Sequence, residues 1–140
     1  MRRSLARIVV VLMMIAACGG DGADAESTLN AYVAAYNSGD IDQLMTVFSE
    51  ESEIVDHPFS GLVAGLEEIR SVHVEEFEFS AAENAYTVSN VEVLDNSVTW
   101  DHVWVNGGGD SYCMEGHTAV VEGGKILTWT WPNGGVAEEC

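Results

Sequence analysis

Two neighbouring residues capable of acid–base chemistry, Asp56 and His57, close a short apolar run immediately before Pro58. The run 53–56 predicts a strand that brings a carboxylate into whatever the surrounding helices enclose. Histidine is also a competent base near neutral pH, and strand side chains alternate, so one of the two should face the interior and the other should face out. An Asp before His-Pro could equally form a turn. Both residues are therefore candidate general bases.

A second set of candidate residues lies in the segment 97–106, where alternation places His102 between two tryptophans on one strand face. His102 could be a site residue or an interior histidine bonded to a neighbouring strand. Indole is large and its N–H needs a partner when buried, so tryptophans here fit either the core or the wall of a pocket for a flat apolar ligand. The predicted ligand-facing residues are Trp100, Trp104, Met114, Trp129 and Trp131.

The elements that position these residues can be predicted from local patterns. Helical spacing begins at Leu29 and stops at 37–39, Asp40 then has the position of an N-cap, and a third helix opens after Gly65. Residues 85–131 are instead rich in Val, Thr, Tyr and Trp, with turn signals at regular intervals. We expect an α+β fold with helices on one face of a curved antiparallel sheet, whose strands lie near 84–95, 97–106, 111–122 and 125–132.

The same segments carry a family resemblance. Tyr32-Val-Ala-Ala-Tyr-Asn-Ser-Gly-Asp40, followed by Phe48-Ser-Glu-Glu and Val55-Asp56, resembles the opening of SnoaL-like and ketosteroid-isomerase-like proteins of the nuclear transport factor 2 (NTF2) superfamily. Gly65-Leu-Glu-Glu-Ile-Arg70 is similar to the start of the family's third helix. The resemblance implies the NTF2-like cone over residues 27–132. It does not imply one activity, because the superfamily includes isomerases, cyclases, dehydratases, hydrolases and noncatalytic binders.

Aligned on Tyr32 without a gap, the ketosteroid isomerase pattern implies an oxyanion-hole tyrosine at Tyr32 and a general base at Asp56. An alignment on the prolines moves the base to His57. The second oxyanion donor of that pattern falls on Gly116, which has no side-chain donor, and losing one such donor costs about a hundredfold to a thousandfold in rate. The resemblance therefore implies that true ketosteroid isomerase activity is lost, and that His117 faces away from the cavity if Gly116 faces in.

Two other chemistries of the superfamily require specific residue patterns. Limonene epoxide hydrolases need an arginine two residues before an aspartate, and that position before Asp101 is Thr99, so this activity does not fit. Scytalone dehydratases combine histidines with tyrosine and aspartate, an arrangement that His102, Tyr32 and Asp56 could imitate.

The N-terminal segment has the features of a bacterial export signal. A basic segment ending at Arg7 precedes the apolar run Ile8–Ala17, and Ile-Ala-Ala-Cys18 matches a lipobox. Cleavage there would leave Cys18 acylated and the protein anchored in the cell envelope, whereas ordinary cleavage near Ala17 would leave it soluble. The expected organisation is a signal peptide at 1–17, a flexible tether at 18–26, a domain at 27–132 and a tail at 133–140.

Charge excludes several classes of partner. Removal of the leader leaves Arg70 and Lys125 against 23 acidic residues, a formal charge of −21, so a basic face for nucleic acid cannot form. The acidic residues are scattered rather than spaced as metal ligands, and no nucleotide-binding loop is present, so we expect no metal and no cofactor. Beyond the leader, no apolar run is long enough to cross a bilayer, so membrane contact is expected through the lipid anchor only.

Two cysteines, Cys113 and Cys140, remain once Cys18 is acylated. In an exported protein they either form a disulfide that pins the C-terminal tail to a strand or stay as free thiols. The sequence as a whole predicts a lipid-anchored domain that holds a small apolar molecule in a conical cavity. The alternatives are an isomerase, cyclase or dehydratase using Asp56 or His57 as base, and a noncatalytic structural domain that forms a homodimer through the exposed sheet face.

Overall fold

The structure is a computed structural model that describes residues 21–80 and 85–140. The predicted signal peptide and Cys18 lie outside the described residues. The helices are α1 (Asp21–Ser38), α2 (Ile41–Met45), α3 (Leu66–Phe79) and a 3-10 helix (Pro132–Gly135). The strands are β1 (Glu53–His57), β2 (Gly61–Ala64), β3 (Tyr86–Leu94), β4 (Ser97–Val105), β5 (Ser111–Glu122), β6 (Lys125–Thr130) and β7 (Glu138–Glu139). Within these ranges, no helix has the length and apolar character needed to cross a membrane.

The helix boundaries follow the local signals in the sequence. The Asp40 Oδ1 atom accepts the backbone N–H of Gln43 at 2.9 Å and caps α2, while Gly39 ends the preceding helix with a φ of 68°. One boundary differs from the expectation: residues 21–26, assigned to a flexible tether, belong to α1. They are helical because Ala25 is buried together with Leu29, so the packed face of α1 continues toward its N-terminus.

The strands form one curved sheet in the order β2-β1-β6-β5-β4-β3, with β7 paired to β5 at one end. β1 runs parallel to β6, and the other pairs are antiparallel. The four long strands agree with the predicted segments to within two residues at each end. The buried core contains Leu29, Tyr32 and Tyr36 of α1 together with Trp100 and Trp129 of the sheet. The predicted α+β class, with helices covering a curved sheet, is confirmed.

Two irregularities in the strands decide which side chains face inward. The β1–β2 register shifts between Ile54 and His57, and Asp56 has a positive φ of 59°. This left-handed residue interrupts the alternation, so Ile54 and His57 are buried while Asp56 is exposed. The expectation that Asp56 carries its carboxylate into the interior is therefore corrected: of the two neighbours, His57 faces inward.

The second irregularity lies opposite β4, where the β4–β5 register shifts between Trp100 and His102. Gly116 has a φ of 86°, is exposed, and donates its N–H to the Asp101 side chain at 2.8 Å. His117 consequently points inward and is fully buried. His117 was expected to face away from the cavity if Gly116 faced in. Gly116 does not face in, so this expectation does not apply.

Candidate functional site

A cavity of about 820 Å³ opens beside the aromatic part of the sheet, between α3, the strands β3–β5 and the C-terminal segment. This volume lies within the range of small-molecule sites in proteins. Polar groups are few on its wall and include Glu76, His102 and Asn106. Most of the wall is apolar, and seven of its residues are Phe, Tyr or Trp: Tyr36, Phe59, Phe79, Tyr86, Trp104, Tyr112 and Trp131.

Glu76 of α3 supplies a carboxylate to this wall, with its side chain 15% exposed. Its Oε1 atom lies 3.2 Å from Nε2 of His57, the inward residue of β1. The Nδ1 atom of the same ring accepts the backbone N–H of Phe59 at 3.4 Å, which assigns the proton to Nε2. His57 therefore donates to Glu76 and orients it, and it reaches the cavity through that carboxylate rather than by lining the wall itself.

His102 of β4 is held by Tyr86 of β3. The Tyr86 hydroxyl oxygen accepts the indole N–H of Trp100 at 3.2 Å and lies 2.8 Å from His102 Nδ1. The hydroxyl of buried Tyr86 has no other acceptor among the described residues, so its proton is donated to Nδ1, and the imidazole carries its own proton on Nε2. Burial lowers the pKa of His102 to about 4, although the Glu76 charge opposes this effect. At neutral pH the ring is an uncharged donor on the cavity wall.

The hydroxyl of Tyr36 is used within the protein. Its oxygen accepts the Trp104 indole N–H at 2.9 Å and lies 2.9 Å from Ser80 Oγ. The Ser80 hydroxyl donates to the Glu76 backbone carbonyl at 2.8 Å, so the Tyr36 proton goes to Ser80. Burial raises the pKa of Tyr36 above its usual value, and the nearby Glu76 charge adds to the rise. Tyr36 and Tyr86 therefore present ring surface to the cavity, while both hydroxyls are occupied.

A stack of rings underlies the wall at His102. Its ring lies 4.3 Å from that of His117, which stacks in turn on Trp100 at 5.3 Å. Nδ1 of His117 accepts the Trp129 indole N–H at 3.0 Å, and burial lowers the pKa of His117 to about 2. Two buried atoms, Nε2 of His117 and Nε1 of Trp131, have no hydrogen-bond partner among the described residues. Ring packing rather than complete hydrogen bonding holds this stack together.

The predicted oxyanion donor Tyr32 lies in the core instead of on the cavity wall. Its hydroxyl is 3.2 Å from Nε2 of His73, whose Nδ1 lies 2.8 Å from the carbonyl of Ile69. Burial raises the pKa of Tyr32 well above its ordinary value and lowers that of His73. The pair closes a hydrogen-bond chain between α1 and α3.

The structure divides the remaining sequence-predicted residues between wall and core. His102, Trp104, Met114 and Trp131 line the cavity. Trp100 and Trp129 are 1% exposed and pack behind it. The tryptophans therefore divide between the two expected roles. Trp100 and Trp129 pack in the core, whereas Trp104 and Trp131 form part of the cavity wall.

The sequence analysis did not predict most of the other wall residues, and Glu76 and Tyr86 are the two that matter for the chemistry of the site. A signal for Glu76 was present, because it follows Ile69 by seven residues and His73 by three, a spacing that places all three on one helix face. Only the apolar members of that stripe were considered. Tyr86 begins a strand, and its partner His102 becomes apparent only from the pairing of Val88 with His102 on neighbouring strands.

The C-terminal segment closes one side of the cavity. Cys113 and Cys140 form a disulfide with their Cα atoms 5.4 Å apart, and β7 pairs with β5 beside it. Gly135 and Ala137 line the cavity as a result. The segment 133–140, expected to be a tail, is therefore a structural part of the site.

The arrangement offers an acceptor carboxylate, an uncharged imidazole donor and a large apolar surface. Such a cavity can hold a small, mostly apolar molecule and can support proton transfer. Within residues 21–80 and 85–140, no group of three or more His, Cys, Asp or Glu side chains is placed to hold a metal ion.

Residues 25–124 match the family model of the SnoaL-like domain. No curated protein matches the chain significantly. Among solved structures, a presumed ketosteroid isomerase from Kribbella flavida is similar, with a TM-score of 0.66, 14% identity, and coverage of 81% of this chain and 82% of that one. A protein of ketosteroid isomerase-like fold from Catenulispora acidiphila, in complex with trimethylamine, has a TM-score of 0.62 and 18% identity over 74% and 82% of the two chains.

A presumed polyketide cyclase from Xanthomonas campestris pv. campestris has a TM-score of 0.60 and 17% identity, and covers 79% of this chain and 90% of its own. At these identities the neighbours show the fold alone, which confirms the predicted NTF2-like cone. The family match extends over most of the sequence, and the chain belongs to the SnoaL-like domain family.

Proposed function

We propose that this protein binds a small, mostly apolar molecule in the cavity between α3 and the sheet. The observation that carries the proposal is a cavity of about 820 Å³ whose wall is mainly apolar and rich in aromatic rings. The hydroxyls of Tyr36 and Tyr86 are occupied within the protein, so these residues offer ring faces and not further hydrogen bonds. A ligand would gain contact area over most of its surface and polar contacts at Glu76 and His102.

The rim of the cavity supports the same function. Phe59 and Phe79 line the cavity and remain 88% and 66% exposed. Exposed aromatic rings at a pocket mouth are typical of sites that take up apolar molecules. The trimethylamine complex of the Catenulispora protein shows that a structure of this fold can hold a small organic molecule.

The test is a titration with N-phenyl-1-naphthylamine, a neutral probe whose fluorescence rises in apolar surroundings. We expect saturable binding with one site per chain. Ala137→Phe, which enlarges a residue lining the cavity, should weaken binding at least tenfold, whereas Val136→Phe changes an exposed neighbour that does not line the cavity and should have little effect. Binding that does not saturate, or that both variants leave unchanged, would contradict the proposal.

A second candidate function is proton transfer, as in an isomerase or cyclase. It is favoured by one observation: an acceptor carboxylate, Glu76, and an uncharged imidazole donor, His102, line the same cavity. Glu76 would take a proton from the carbon next to a ketone, and the His102 N–H would stabilise the enolate oxygen. In this mechanism Glu76, oriented by His57, replaces the sequence-predicted base Asp56.

This candidate can be tested by deuterium exchange into 2-tetralone in D₂O, followed by NMR. Catalysed exchange that is lost in Glu76→Gln and retained in Asp56→Asn supports it. Exchange at the uncatalysed rate in the wild type, under conditions where the probe titration shows binding, leaves a binding protein without this chemistry.

We further propose that the chain is exported and anchored to the cell envelope through acylated Cys18. The lipobox and the preceding apolar run support this. Cys18→Ala should give an uncleaved or soluble product, while the wild type partitions into detergent and gains lipid mass at its N-terminus. An unmodified mature N-terminus beyond Cys18 would contradict the anchor. A homodimer through the outer sheet face is a separate proposal, to be tested by sedimentation equilibrium.

A further inference from the structure

The charged groups at the cavity are all of one sign. Of the residues that line it, Glu76 and Glu78 carry carboxylates and none is Lys or Arg. His102 is uncharged at neutral pH because its pKa lies near 4. An anionic ligand would therefore enter without any cation to meet it and against the repulsion of two carboxylates.

The two basic residues beyond the leader are bound elsewhere. Arg70 pairs with Asp42 at 2.6 Å, and the Lys125 ammonium donates to the backbone carbonyl of Thr46. Neither lines the cavity. With 23 acidic residues in the chain, the surrounding field also attracts cations.

The Glu76 carboxylate keeps its charge available to a ligand. His57 donates one hydrogen bond to Oε1, and among the described residues no Lys or Arg pairs with Glu76. The effect of this charge extends across the cavity, because it raises the pKa of Tyr36 on α1 and opposes the lowering of the pKa of His102 on β4.

Aromatic faces complete the arrangement. The rings of Tyr36 and Tyr86 lie 5.2 Å apart, and those of Trp104 and Tyr112 lie 5.8 Å apart, all four on the cavity wall. Ring faces carry partial negative charge and attract cations, most strongly at indole. A quaternary or alkylated ammonium spreads its charge over methyl groups and loses little hydration, so ring faces and one carboxylate can offset the cost of burying it.

We propose that the ligand of this cavity is an organic ammonium compound, an apolar body carrying a cationic amine that lies against Glu76 and the aromatic wall. This inference rests on the proposed binding function and adds the charge of the ligand to it. The matched probes are phenyltrimethylammonium and tert-butylbenzene, which have nearly the same shape and differ in charge. Binding is measured by tryptophan fluorescence at low ionic strength.

We expect phenyltrimethylammonium to bind about tenfold more tightly than tert-butylbenzene, and added salt to reduce the difference. Glu76→Gln should remove most of this preference while leaving tert-butylbenzene affinity within about twofold. Asp56→Asn, which neutralises an exposed carboxylate outside the cavity, should keep the preference. The ratio of the two affinities in the wild type tests the inference even if Glu76→Gln does not fold.

Equal affinity for the two probes in the wild type would overturn the inference and leave the proposed function intact. If Glu76→Gln retained the full preference for phenyltrimethylammonium, the assignment of that preference to the Glu76 carboxylate would also be overturned. Absence of binding by both probes, together with failure of the neutral naphthylamine titration, would overturn the proposed function and the inference with it.

Discussion

Nε2 of His57 lies 3.2 Å from Oε1 of Glu76, and this contact joins the inner end of β1 to the cavity face of α3. The backbone N–H of Phe59 fixes the tautomer that makes the contact a hydrogen bond donated by the imidazole. The Glu76 carboxylate of the cavity is thus held in place by the residue that follows Asp56, while Asp56 itself faces solvent.

Replacement of His57 should show how much this hydrogen bond contributes to the stability of the fold. His57→Phe removes the donor and leaves a partly buried carboxylate with one partner fewer, so we expect the free energy of unfolding to fall by about 1–3 kcal/mol. His57→Gln keeps an N–H donor and should recover part of the loss. Urea denaturation measures both. Equal stability of the phenylalanine and glutamine variants would show that the hydrogen bond contributes little.

Buried histidines should make the protein sensitive to acid. The pKa of His102 is about 4 and that of His117 about 2 in the folded state, against an ordinary value near 6.5. Below pH 6.5 the unfolded chain takes up protons that the folded protein excludes, so stability is full above this pH and declines as pH falls toward 4. Each histidine contributes about 1.4 kcal/mol per pH unit in that window.

The measurement is urea denaturation at pH 7.5, 6 and 5 for the wild type and for His102→Gln. Carboxylates also titrate in this range. The comparison therefore uses the difference between the two proteins in the slope of the free energy of unfolding against pH. The slope for His102→Gln should be smaller than that of the wild type by the contribution of about one proton. Identical slopes would contradict an uncharged buried His102.

Gly135 should tolerate no side chain. A Cβ atom there would lie 2.5 Å from the Asp56 carbonyl oxygen and 2.7 Å from the Pro58 backbone, at a φ of 77°. Gly134 has a similar φ of 62° but open space around it, which makes it a matched control. We expect Gly134→Ala to cost about 1–2 kcal/mol for its left-handed conformation, and Gly135→Ala about 3 kcal/mol or more.

Thermal or urea unfolding separates these two variants. A similar cost at both positions would mean that the 3-10 helix can move away from β1. Since Gly135 lines the cavity, such movement would also change the shape of the site.

The disulfide between Cys113 and Cys140 closes a loop with a sequence separation of 27. In the chain-entropy model a loop of this size stabilises the folded state by about 3.5 kcal/mol. We expect Cys113→Ala with Cys140→Ala to lower the melting temperature and to weaken binding of N-phenyl-1-naphthylamine, because β7 and the residues before it close one side of the cavity. Unchanged binding in the double variant would show that the tail is not needed for the site.

Local signals predicted much of the fold. The four long strands and the N-cap at Asp40 depend on residues close in sequence, and the structure contains them as predicted. The inward residue of β1 could not be predicted, because it depends on a left-handed φ at Asp56 that alternation does not anticipate. The same holds for His117, whose direction depends on the bulge at Gly116.

The site itself was predicted only in part for a related reason. His102 and Trp104 follow from strand alternation along β4, and Trp131 follows from the alternation of β6 continued one residue past its end. Glu76 was passed over because helical periodicity is usually read from apolar residues, whereas this polar residue occupies the same stripe. Tyr86 depends on strand pairing across the sheet, and such pairing has no local signal.

The cavity should bind a small molecule against the part of its wall formed by Trp104 and Trp131. The most direct measurement is a ¹H–¹⁵N titration of the four indole N–H signals with N-phenyl-1-naphthylamine. We expect saturable shifts at Trp104 and Trp131, which line the cavity, and much smaller ones at Trp100 and Trp129, which are 1% exposed behind it. No shift at any indole, or shifts as large at Trp100 and Trp129 as at the other two, would contradict this expectation.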